Sequence, residues 1–275
     1  MSAEPADETY LQTAIDAVRR AGEIQRQASR GTFEIRKKGI IDLVTEVDVT
    51  VEKMVRALIA ERYPGHDVLG EELGGPGDGE RSRHCWICDP LDGTTNFAHG
   101  LPLYCSTIAL EVDGELRVGA VYDPTRDELF TAIRGGGAFL NGERIRVSTA
   151  ATLIDSLLVT GFPYSVQEKL DEMIGLFGRF LSKARAVRRL GSAALDLCYV
   201  AAGRLDGFYE ATLKPWDSCG GALIVQEAGG LVTDWKGTPF QSRLPQVLAT
   251  NGRIHSEMLA MLAEFEAAYR RTDSN

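Results

Sequence analysis

The chain contains little cysteine, little histidine and no excess of positive charge, and each shortage argues against one class of protein. Among its 275 residues there are five cysteines and four histidines, and an odd number of cysteines does not suggest a disulfide framework. The formal net charge of −9 argues against a nucleic acid as the main partner. No apolar run has the length of a membrane span, and the acidic start does not resemble a signal peptide. We therefore expect a cytoplasmic protein without a membrane or nucleic-acid partner.

The sequence gives little support to a zinc or redox centre. Cys85 and Cys88 have C-x-x-C spacing. If this segment is a strand, side chains three positions apart point to opposite faces, so we expect the two thiols to diverge. The histidines show no H-x-x-x-H pairing.

No Pro/Ser-rich linker divides the chain, and its 44% hydrophobic content is enough for a substantial core. The glycine-rich segment 74–80 is typical of a surface loop. We expect residues 1–275 to form one domain, with an antiparallel sheet in an N-terminal half of about 1–150 and a C-terminal half of about 151–275.

Hydrophobic periodicity predicts a layered mixture of helices and sheets. A first helix is expected around residues 11–25, a second from near Asp48 to residue 63, and a last one around 258–265. Short strands fill residues 104–147, with hairpin turns at Asp113-Gly114, Asp123-Pro124 and Asn141-Gly142. The predicted elements that follow are a strand at 157–160, helices at 168–180 and 192–202, a strand at 207–210 and a helix at 217–227.

The most informative segment is DPLDGTTNF at residues 89–97, which follows an apolar stretch. Pro90 removes a backbone donor and Gly93 frees the backbone, so we expect that a strand cannot run straight through. The carboxylates of Asp89 and Asp92 suit Mg²⁺ or Mn²⁺ rather than zinc. The backbone N–H groups of Gly93 and Thr94 can then face an anion.

A simpler interpretation is a capped turn, in which Asp92 or Thr94 only caps a helix. The acidic pair Glu71-Glu72 upstream and Asp217 downstream weaken it, because they supply partners for a metal site. Carboxylates packed together repel one another unless cations neutralise them. Asp48 likewise has two open roles, since it stands near a predicted helix start and can be a cap or a catalytic group.

With these motifs the chain resembles the inositol monophosphatase family, the Mg²⁺-dependent, lithium-sensitive sugar-phosphate phosphatases. The resemblance covers roughly residues 11–262. It departs from the family pattern at Leu91, where isoleucine is more common, and at Cys219, where alanine is usual. The motifs that carry it, in the family's order, are Asp42-Leu43-Val44-Thr45 with Asp48, Gly70-Glu71-Glu72, residues 89–97, Gly191-Ser192-Ala193-Ala194 and Trp216-Asp217-Ser218-Cys219-Gly220-Gly221.

The resemblance implies an α+β fold, the layered αβαβα sandwich of this family. It also implies two or three Mg²⁺ ions per site, for which Mn²⁺ can substitute, a small phosphate monoester as substrate, and a homodimer. The implied reaction is hydrolysis of inositol 1-phosphate by metal-activated water. The sequence leaves open fructose-1,6-bisphosphatase, histidinol-phosphate phosphatase, 3′-phosphonucleotide phosphatase and a non-catalytic regulatory binding protein on the same fold.

The resemblance also assigns roles to individual residues. The implied ligands of the first metal are Glu71, Asp89 and the Leu91 carbonyl, and those of the second are Asp89, Asp92 and Asp217. The implied catalytic residues are Glu71, Thr94 and Asp48, of which Thr94 and Asp48 aim the attacking water. The implied substrate contacts are Asp92, Gly93, Thr94, Gly191, Ser192, Ala193, Glu210 and Asp217.

Outside these assigned roles, we interpret Lys37, the pair Arg188-Arg189 and Trp216 as follows. Lys37 falls near a family lysine close to the phosphate, or it is a solvated surface residue. The pair Arg188-Arg189 is too short for a basic patch and is expected at a solvated strand end. Trp216 is expected to pack in the core and to seat Asp217 at the start of its helix.

Overall fold

The computed structural model describes residues 6–31, 33–37, 43–76 and 82–272. Asp42 and residues 77–80 of the glycine-rich segment therefore lie outside the described residues. Within the described ranges the helices are α1 (Asp7–Ala28), α2 (Glu46–Arg62), α3 (Thr94–Ala98), α4 (Leu170–Leu181), α5 (Ala193–Ala201), α6 (Pro215–Glu227) and α7 (His255–Thr272). None of these helices combines the length and apolar composition that crossing a membrane requires.

The described strands form two large sheets and one short ribbon. The ribbon pairs β1 (Ile35–Lys37) with β2 (Leu43–Thr45). The seven-stranded sheet runs in chain order through β3 (Asp67–Gly70), β4 (His84–Asp92), β5 (Cys105–Val112), β6 (Glu115–Asp123), β7 (Glu128–Ile133), β8 (Gly137–Leu140) and β9 (Glu143–Arg144). The five-stranded sheet has the order β11 (Ala186–Arg188), β10 (Leu157–Thr160), β12 (Gly207–Glu210), β14 (Val247–Thr250) and β13 (Leu231–Thr233).

The seven-stranded sheet is antiparallel except for its β3–β4 pair. The predicted turns at Asp113-Gly114 and Asn141-Gly142 are confirmed. All four residues have positive φ, at 51°, 83°, 49° and 85°, as the tight hairpin turn of the mirror-image type requires. Local turn chemistry therefore sets the register of these strands.

Side chains from the two sheets and the helices form three cores between successive layers. Helices α1 and α2 pack on one face of the seven-stranded sheet, against residues such as Trp86 and Tyr122. Helices α5 and α6 fill the space between the two sheets. Helices α4 and α7 cover the outer face of the five-stranded sheet, where Phe180 and Met258 are buried. The order of layers is αβαβα, and the expected fold class is confirmed.

Strand β4 differs from its prediction, because it continues through Pro90 to Asp92. The continuation contains a bulge: Asp89 pairs with Thr107 and Asp92 with Cys105, so three steps on β4 match two on β5. Pro90 lies inside this irregularity, where the ladder does not need its missing N–H. The bulge turns the two carboxylates without ending the strand.

The two thiols of the C-x-x-C motif diverge as predicted. Cys88 is buried in the core beneath α1 and α2, whereas Cys85 packs against the core shared with α5 and α6. Both are free cysteines. The motif therefore reflects strand alternation rather than a redox pair.

Candidate active site

Glu71 and Asp89 come from two adjacent parallel strands. Gly70, the last residue of β3, is the register partner of Cys88 in β4, so the residues that follow leave the same level of the sheet. Asp89 is buried, and its Oδ1 accepts a hydrogen bond from the Leu91 N–H at 2.9 Å. Parallel pairing thus brings together two acidic residues that are 18 positions apart in the sequence.

Helix α2 holds the turn that carries Glu71. The carboxylate of Glu52 is completely buried and accepts hydrogen bonds from the N–H groups of Glu72 at 2.7 Å and Leu73 at 3.1 Å. It also pairs with Arg56 at 2.7 Å. This anchored turn fixes the backbone on both sides of Glu71.

Asp92 joins the seven-stranded sheet to helix α5. Its Oδ2 accepts hydrogen bonds from Ser192 Oγ at 2.6 Å and from the Ala194 N–H at 2.8 Å. These residues belong to the start of α5, about 100 positions away in the chain. The predicted substrate contacts at 191–193 are therefore brought directly against a predicted metal ligand.

Gly93 and Thr94 form the start of the short helix α3. Gly93 has φ of +91°, and a side chain there would lie 2.9 Å from the Leu103 carbonyl oxygen, so glycine is required. The Thr94 hydroxyl lies 2.9 Å from the Leu91 carbonyl oxygen and 3.2 Å from Asp48 Oδ1. The backbone carbonyl, the hydroxyl and the carboxylate thus form one buried chain of polar groups.

Asp48 takes part in helix capping and also contacts Thr94. Its Oδ2 accepts hydrogen bonds from the Thr45 N–H at 2.8 Å and the Thr45 hydroxyl at 2.6 Å, which completes a capping box at the start of α2. Its Oδ1 faces Thr94. The two roles left open by the sequence are therefore compatible, because each uses a different oxygen.

Asp217 lies in the first turn of α6, where its Oδ2 accepts a hydrogen bond from the Lys214 N–H at 2.7 Å. A side chain on Gly220 would lie 2.4 Å from Thr107 Oγ of β5. The glycine of the second motif thus lets α6 approach the seven-stranded sheet closely, which brings Asp217 towards Asp92.

The four carboxylates influence one another's protonation. Burial raises the pKa of Asp89 well above its usual value, and the neighbouring carboxylates of Glu71, Asp92 and Asp217 raise it further. Burial also raises the pKa of Asp217 to about 8; the hydrogen bond from the Lys214 N–H opposes this shift, and the charges of Asp92 and Glu71 add to it. Such mutual destabilisation of negative charge is typical of carboxylates that face a common cation site.

A pocket of about 360 Å³ opens at this place. The predicted site residues that line it are Glu71, Asp92, Gly93, Thr94, Gly191, Ser192, Ala193, Glu210 and Asp217. Asp48, Asp89 and Leu91 are buried next to it. Two larger hollows, of about 550 and 490 Å³, lie elsewhere, and each is bordered by ion pairs such as Arg117–Asp7 and Arg243–Glu111. We assign the site to the smaller pocket because nine of the predicted site residues line it.

Four other residues differ in their relation to the pocket: Lys37 lies outside it, whereas Arg189, Trp216 and Asp196 border it. Lys37 is exposed and is not among the described residues that line the pocket, which favours the surface interpretation. Arg189 was expected at a solvated strand end, but it lines the pocket. Trp216 packs partly against the central core, as predicted, and also borders the pocket. Asp196, which the sequence did not single out, is a further lining residue.

The donor set fits a hard divalent cation, because it consists of carboxylate and carbonyl oxygens. Among the described residues no three His, Cys, Asp or Glu side chains are arranged to hold a metal ion as they stand. The carboxylates of Asp89, Asp92 and Asp217 are instead turned to backbone N–H groups.

Comparison with known proteins gives a consistent result. The sequence model of the Inositol monophosphatase family matches residues 6–268. Nus factor SuhB of Escherichia coli (strain K12) is 42% identical over 264 residues, which cover 95% of this chain and 98% of that protein. Inositol monophosphatase 2 of Solanum lycopersicum is 43% identical over 264 residues, covering 94% of this chain and 100% of that protein.

The fold leads to the same family. The structure of inositol monophosphatase from Anabaena (Nostoc) sp. PCC 7120 superposes with a TM-score of 0.85 at 39% identity, covering 94% of this chain and 96% of that chain. Sequence match, relatives and fold thus agree over almost the whole length, and the chain belongs to the inositol monophosphatase family.

Proposed function

We propose that the protein is a Mg²⁺-dependent phosphomonoesterase that hydrolyses inositol 1-phosphate to inositol and phosphate. The observation that carries this proposal is the Thr94–Asp48 hydrogen bond at 3.2 Å, located where four carboxylates converge on one pocket. A hydroxyl backed by a buried carboxylate beside a cation site is suited to activating water. The Mg²⁺ ions, held by Glu71, Asp89, the Leu91 carbonyl, Asp92 and Asp217, supply charge neutralisation and polarisation of the phosphate when bound.

Thr94 and Asp48 would orient the attacking water. The Thr94 hydroxyl has one hydrogen and two acceptors within reach, the Leu91 carbonyl at 2.9 Å and Asp48 Oδ1 at 3.2 Å. If the Leu91 carbonyl serves as a metal ligand, the hydrogen would go to Asp48, and the lone pairs of Thr94 Oγ could accept a hydrogen bond from water. The water oxygen bonds to phosphorus, the ester P–O bond breaks in line, and the leaving alkoxide takes a proton from solvent. The proton lost by the water passes through Thr94 to the Asp48 carboxylate.

Backbone groups at the start of α3 would bind the phosphate oxygens. The first N–H groups of a helix have no intrahelical acceptor, and Gly93 and Thr94 both line the pocket. Preorganised N–H donors of this kind stabilise charge that develops in a transition state.

A second group of residues that line the pocket would bind the leaving group. Glu210, at the end of β12, and residues Gly191, Ser192 and Ala193 form this group. A carboxylate can accept hydrogen bonds from the hydroxyls of a polyol. This polar group of residues favours inositol over a plain alcohol.

A non-catalytic regulatory role is the second candidate, because a relative at 42% identity is named Nus factor. This chain keeps the complete predicted set of carboxylates together with Thr94, and for this reason we place catalysis first. The other candidates are phosphatases of related substrates.

A substrate panel tests the proposal. Purified protein with Mg²⁺ is given inositol 1-phosphate, fructose 1,6-bisphosphate, histidinol phosphate or adenosine 3′,5′-bisphosphate, and released phosphate is measured. We expect the highest kcat/KM for inositol 1-phosphate. A higher kcat/KM for another compound of the panel would make that compound the proposed substrate. If phosphate is released from none of the four compounds, the regulatory role is favoured.

A further inference from the structure

Asp196 is a buried carboxylate that the mechanism above does not use. It lies in α5, is only 1% exposed and borders the pocket. Its Oδ1 has no hydrogen-bond partner in the structure. A buried polar atom without a partner costs about 1–3 kcal/mol, so its presence at the wall of a binding pocket calls for an explanation.

A role in the helix alone does not explain this carboxylate. An acidic residue in the first turn of α5 interacts favourably with the helix dipole, but that interaction needs neither deep burial nor an unpartnered oxygen. An exposed aspartate would serve the helix at lower cost. Because Asp196 borders the pocket, a bound ligand can instead supply a partner for its carboxyl group.

The surroundings of Asp196 connect it to Glu210. Burial raises the pKa of Asp196 well above its usual value, the charges of Glu210 and Asp92 add to this, and Arg189 opposes it. Burial likewise raises the pKa of Glu210 to about 8, and Arg189 again opposes the shift. The two carboxyl groups and the Arg189 guanidinium therefore line the same pocket, close enough for their charges to influence one another.

The backbone is shaped to accommodate this group of side chains. A Cβ on Gly161 would lie 2.0 Å from Glu210 Oε2, so the Glu210 carboxylate rests directly against the bare backbone of the facing wall. Its position is thereby fixed against the segment that follows β10. Two carboxylates at a fixed spacing can recognise two hydroxyls of one rigid ring.

We propose that Asp196 accepts a hydrogen bond from a second hydroxyl of the leaving group, beside the one bound by Glu210, and so selects phosphorylated polyols with two free hydroxyls on this side. This inference rests on the proposed phosphatase function. It makes Asp196 a specificity-determining residue, with Arg189 as a cation whose charge offsets those of the two carboxyl groups.

The test compares variants on substrates with and without hydroxyls. Asp196→Leu removes both oxygens at similar size, and Asp196→Asn keeps one acceptor. We expect Asp196→Leu to lower kcat/KM for inositol 1-phosphate about 5- to 150-fold, while kcat/KM for 4-nitrophenyl phosphate stays within about twofold. Asp196→Asn should show a smaller loss of the same kind, and Glu210→Gln serves as the comparison for a predicted hydroxyl contact.

Monodeoxy analogues of inositol 1-phosphate identify the hydroxyl concerned. One analogue should be a poor substrate for the unaltered protein and should lose little more in Asp196→Leu, because the contact is already absent. A thermal unfolding midpoint as high as that of the unaltered protein excludes misfolding. If Asp196→Leu fails to fold, the same comparison in Asp196→Asn decides.

The outcomes separate this inference from the proposed function. Equal losses on the polyol and aryl phosphates, or an undiminished effect of the variant on every deoxy analogue, would overturn the role of Asp196 alone. If the unaltered protein releases phosphate from none of the polyol phosphates, the proposed function and the inference both fail.

Discussion

Asp48 shows how a single side chain can cap a helix and also contact a residue that we propose to be catalytic. One oxygen completes the capping box with Thr45, and the other accepts from Thr94. The cap fixes the carboxylate at the start of α2, so the position of Thr94 depends on the same interactions that begin the helix. This arrangement explains why the sequence could not separate the two roles.

The first prediction concerns the Thr94 hydroxyl. Thr94→Ala should lower kcat about 10²–10⁴-fold, the usual range for loss of a group that takes part in proton transfer in the transition state. Mg²⁺ affinity should change little, because the hydroxyl orients the water without holding the cation. Steady-state kinetics across a Mg²⁺ titration measure both quantities, with Thr94→Ser as the control that keeps the hydroxyl. Weaker Mg²⁺ binding with kcat intact at saturation would contradict the role given to Thr94.

The second prediction concerns Asp89, which three other carboxylates surround. Asp89→Asn should abolish turnover, because it removes a ligand proposed to be shared by both cations. In chelator the variant should melt at a higher temperature than the unaltered protein, because mutual repulsion falls. Phosphate release and thermal unfolding are the measurements, and Asp113→Asn, in an exposed pair with Arg83, is the control. Full activity of Asp89→Asn with added Mg²⁺ would refute the shared-ligand assignment.

At the scale of elements, the turn after β3 depends on helix α2. Glu52 accepts hydrogen bonds from two N–H groups of the turn and pairs with Arg56, so α2 and the turn form one unit. A Cβ on Gly70 would lie 2.2 Å from Glu52 Oε1, which shows how closely the strand end approaches this carboxylate. The position of Glu71 therefore depends on a residue that does not reach the pocket.

The third prediction follows from this unit. Glu52→Gln should destabilise the protein by about 3 kcal/mol, the low end for a broken buried pair, since the Arg56 side chain is 28% exposed. It should also raise the Mg²⁺ concentration needed for half-maximal activity, because Glu71 loses its fixed backbone. Glu34→Gln, in an exposed pair with Arg36, should leave stability nearly unchanged, because solvent screens an ion pair at the surface. Denaturant titration and Mg²⁺ activation curves test both variants. Equal effects of the two substitutions would show that the position of Glu71 does not depend on Glu52.

The elements that the sequence predicts well are those set by local chemistry. The hairpin turns and the limits of β10 and β12 needed only turn residues and a short apolar run. The bulge at Pro90 and the parallel pairing of β3 with β4 depend on the neighbouring strand, which no local pattern reveals. Nine predicted site residues line the pocket, and they could be predicted because the family resemblance named them. Arg189 and Asp196 were missed because their exposure and partners depend on contacts between distant segments.

For the whole molecule, the middle layer determines how the halves are connected. Helices α5 and α6 bury side chains from both sheets in one core, and Asp92 bonds across to the start of α5. Neither sheet can lose this layer without exposing apolar surface. We therefore propose that residues 1–275 form one domain.

The fourth prediction tests that proposal. Calorimetry in chelator should show one unfolding transition, with a calorimetric enthalpy equal to the van't Hoff enthalpy. Glu52→Gln, although it lies in the N-terminal half, should shift the whole transition to lower temperature. Two separated transitions, only one of them moved by Glu52→Gln, would mean that the halves unfold independently.

The fifth prediction concerns the pH dependence of stability through His255. The imidazole is almost fully buried, with Thr233 Oγ at 3.0 Å from Nε2 and Thr250 Oγ at 2.9 Å from Nδ1. Because Thr233 donates its own hydrogen to the Asp234 carbonyl, it can accept from Nε2–H, and the Thr250 hydroxyl can donate to Nδ1. This pairing suits the neutral ring, and burial lowers the pKa of His255 to about 4.

His255 destabilises the folded protein at low pH, because the unfolded chain takes up the proton more readily than the folded one. In the unfolded chain the histidine pKa is about 6.5. The contribution of His255 to stability is complete above about pH 6.5 and is lost as the pH falls towards 4. Carboxyl groups with a raised pKa, such as Asp217 and Glu210, act in the opposite direction in this pH range and are common to both proteins. The unfolding midpoint of His255→Gln, measured relative to that of the unaltered protein, should therefore rise as the pH is lowered from 7 to 4.5. His99→Gln, at an exposed histidine, should follow the unaltered protein. If the unfolding midpoints of all three proteins change in parallel with pH, His255 does not contribute to the pH dependence of stability.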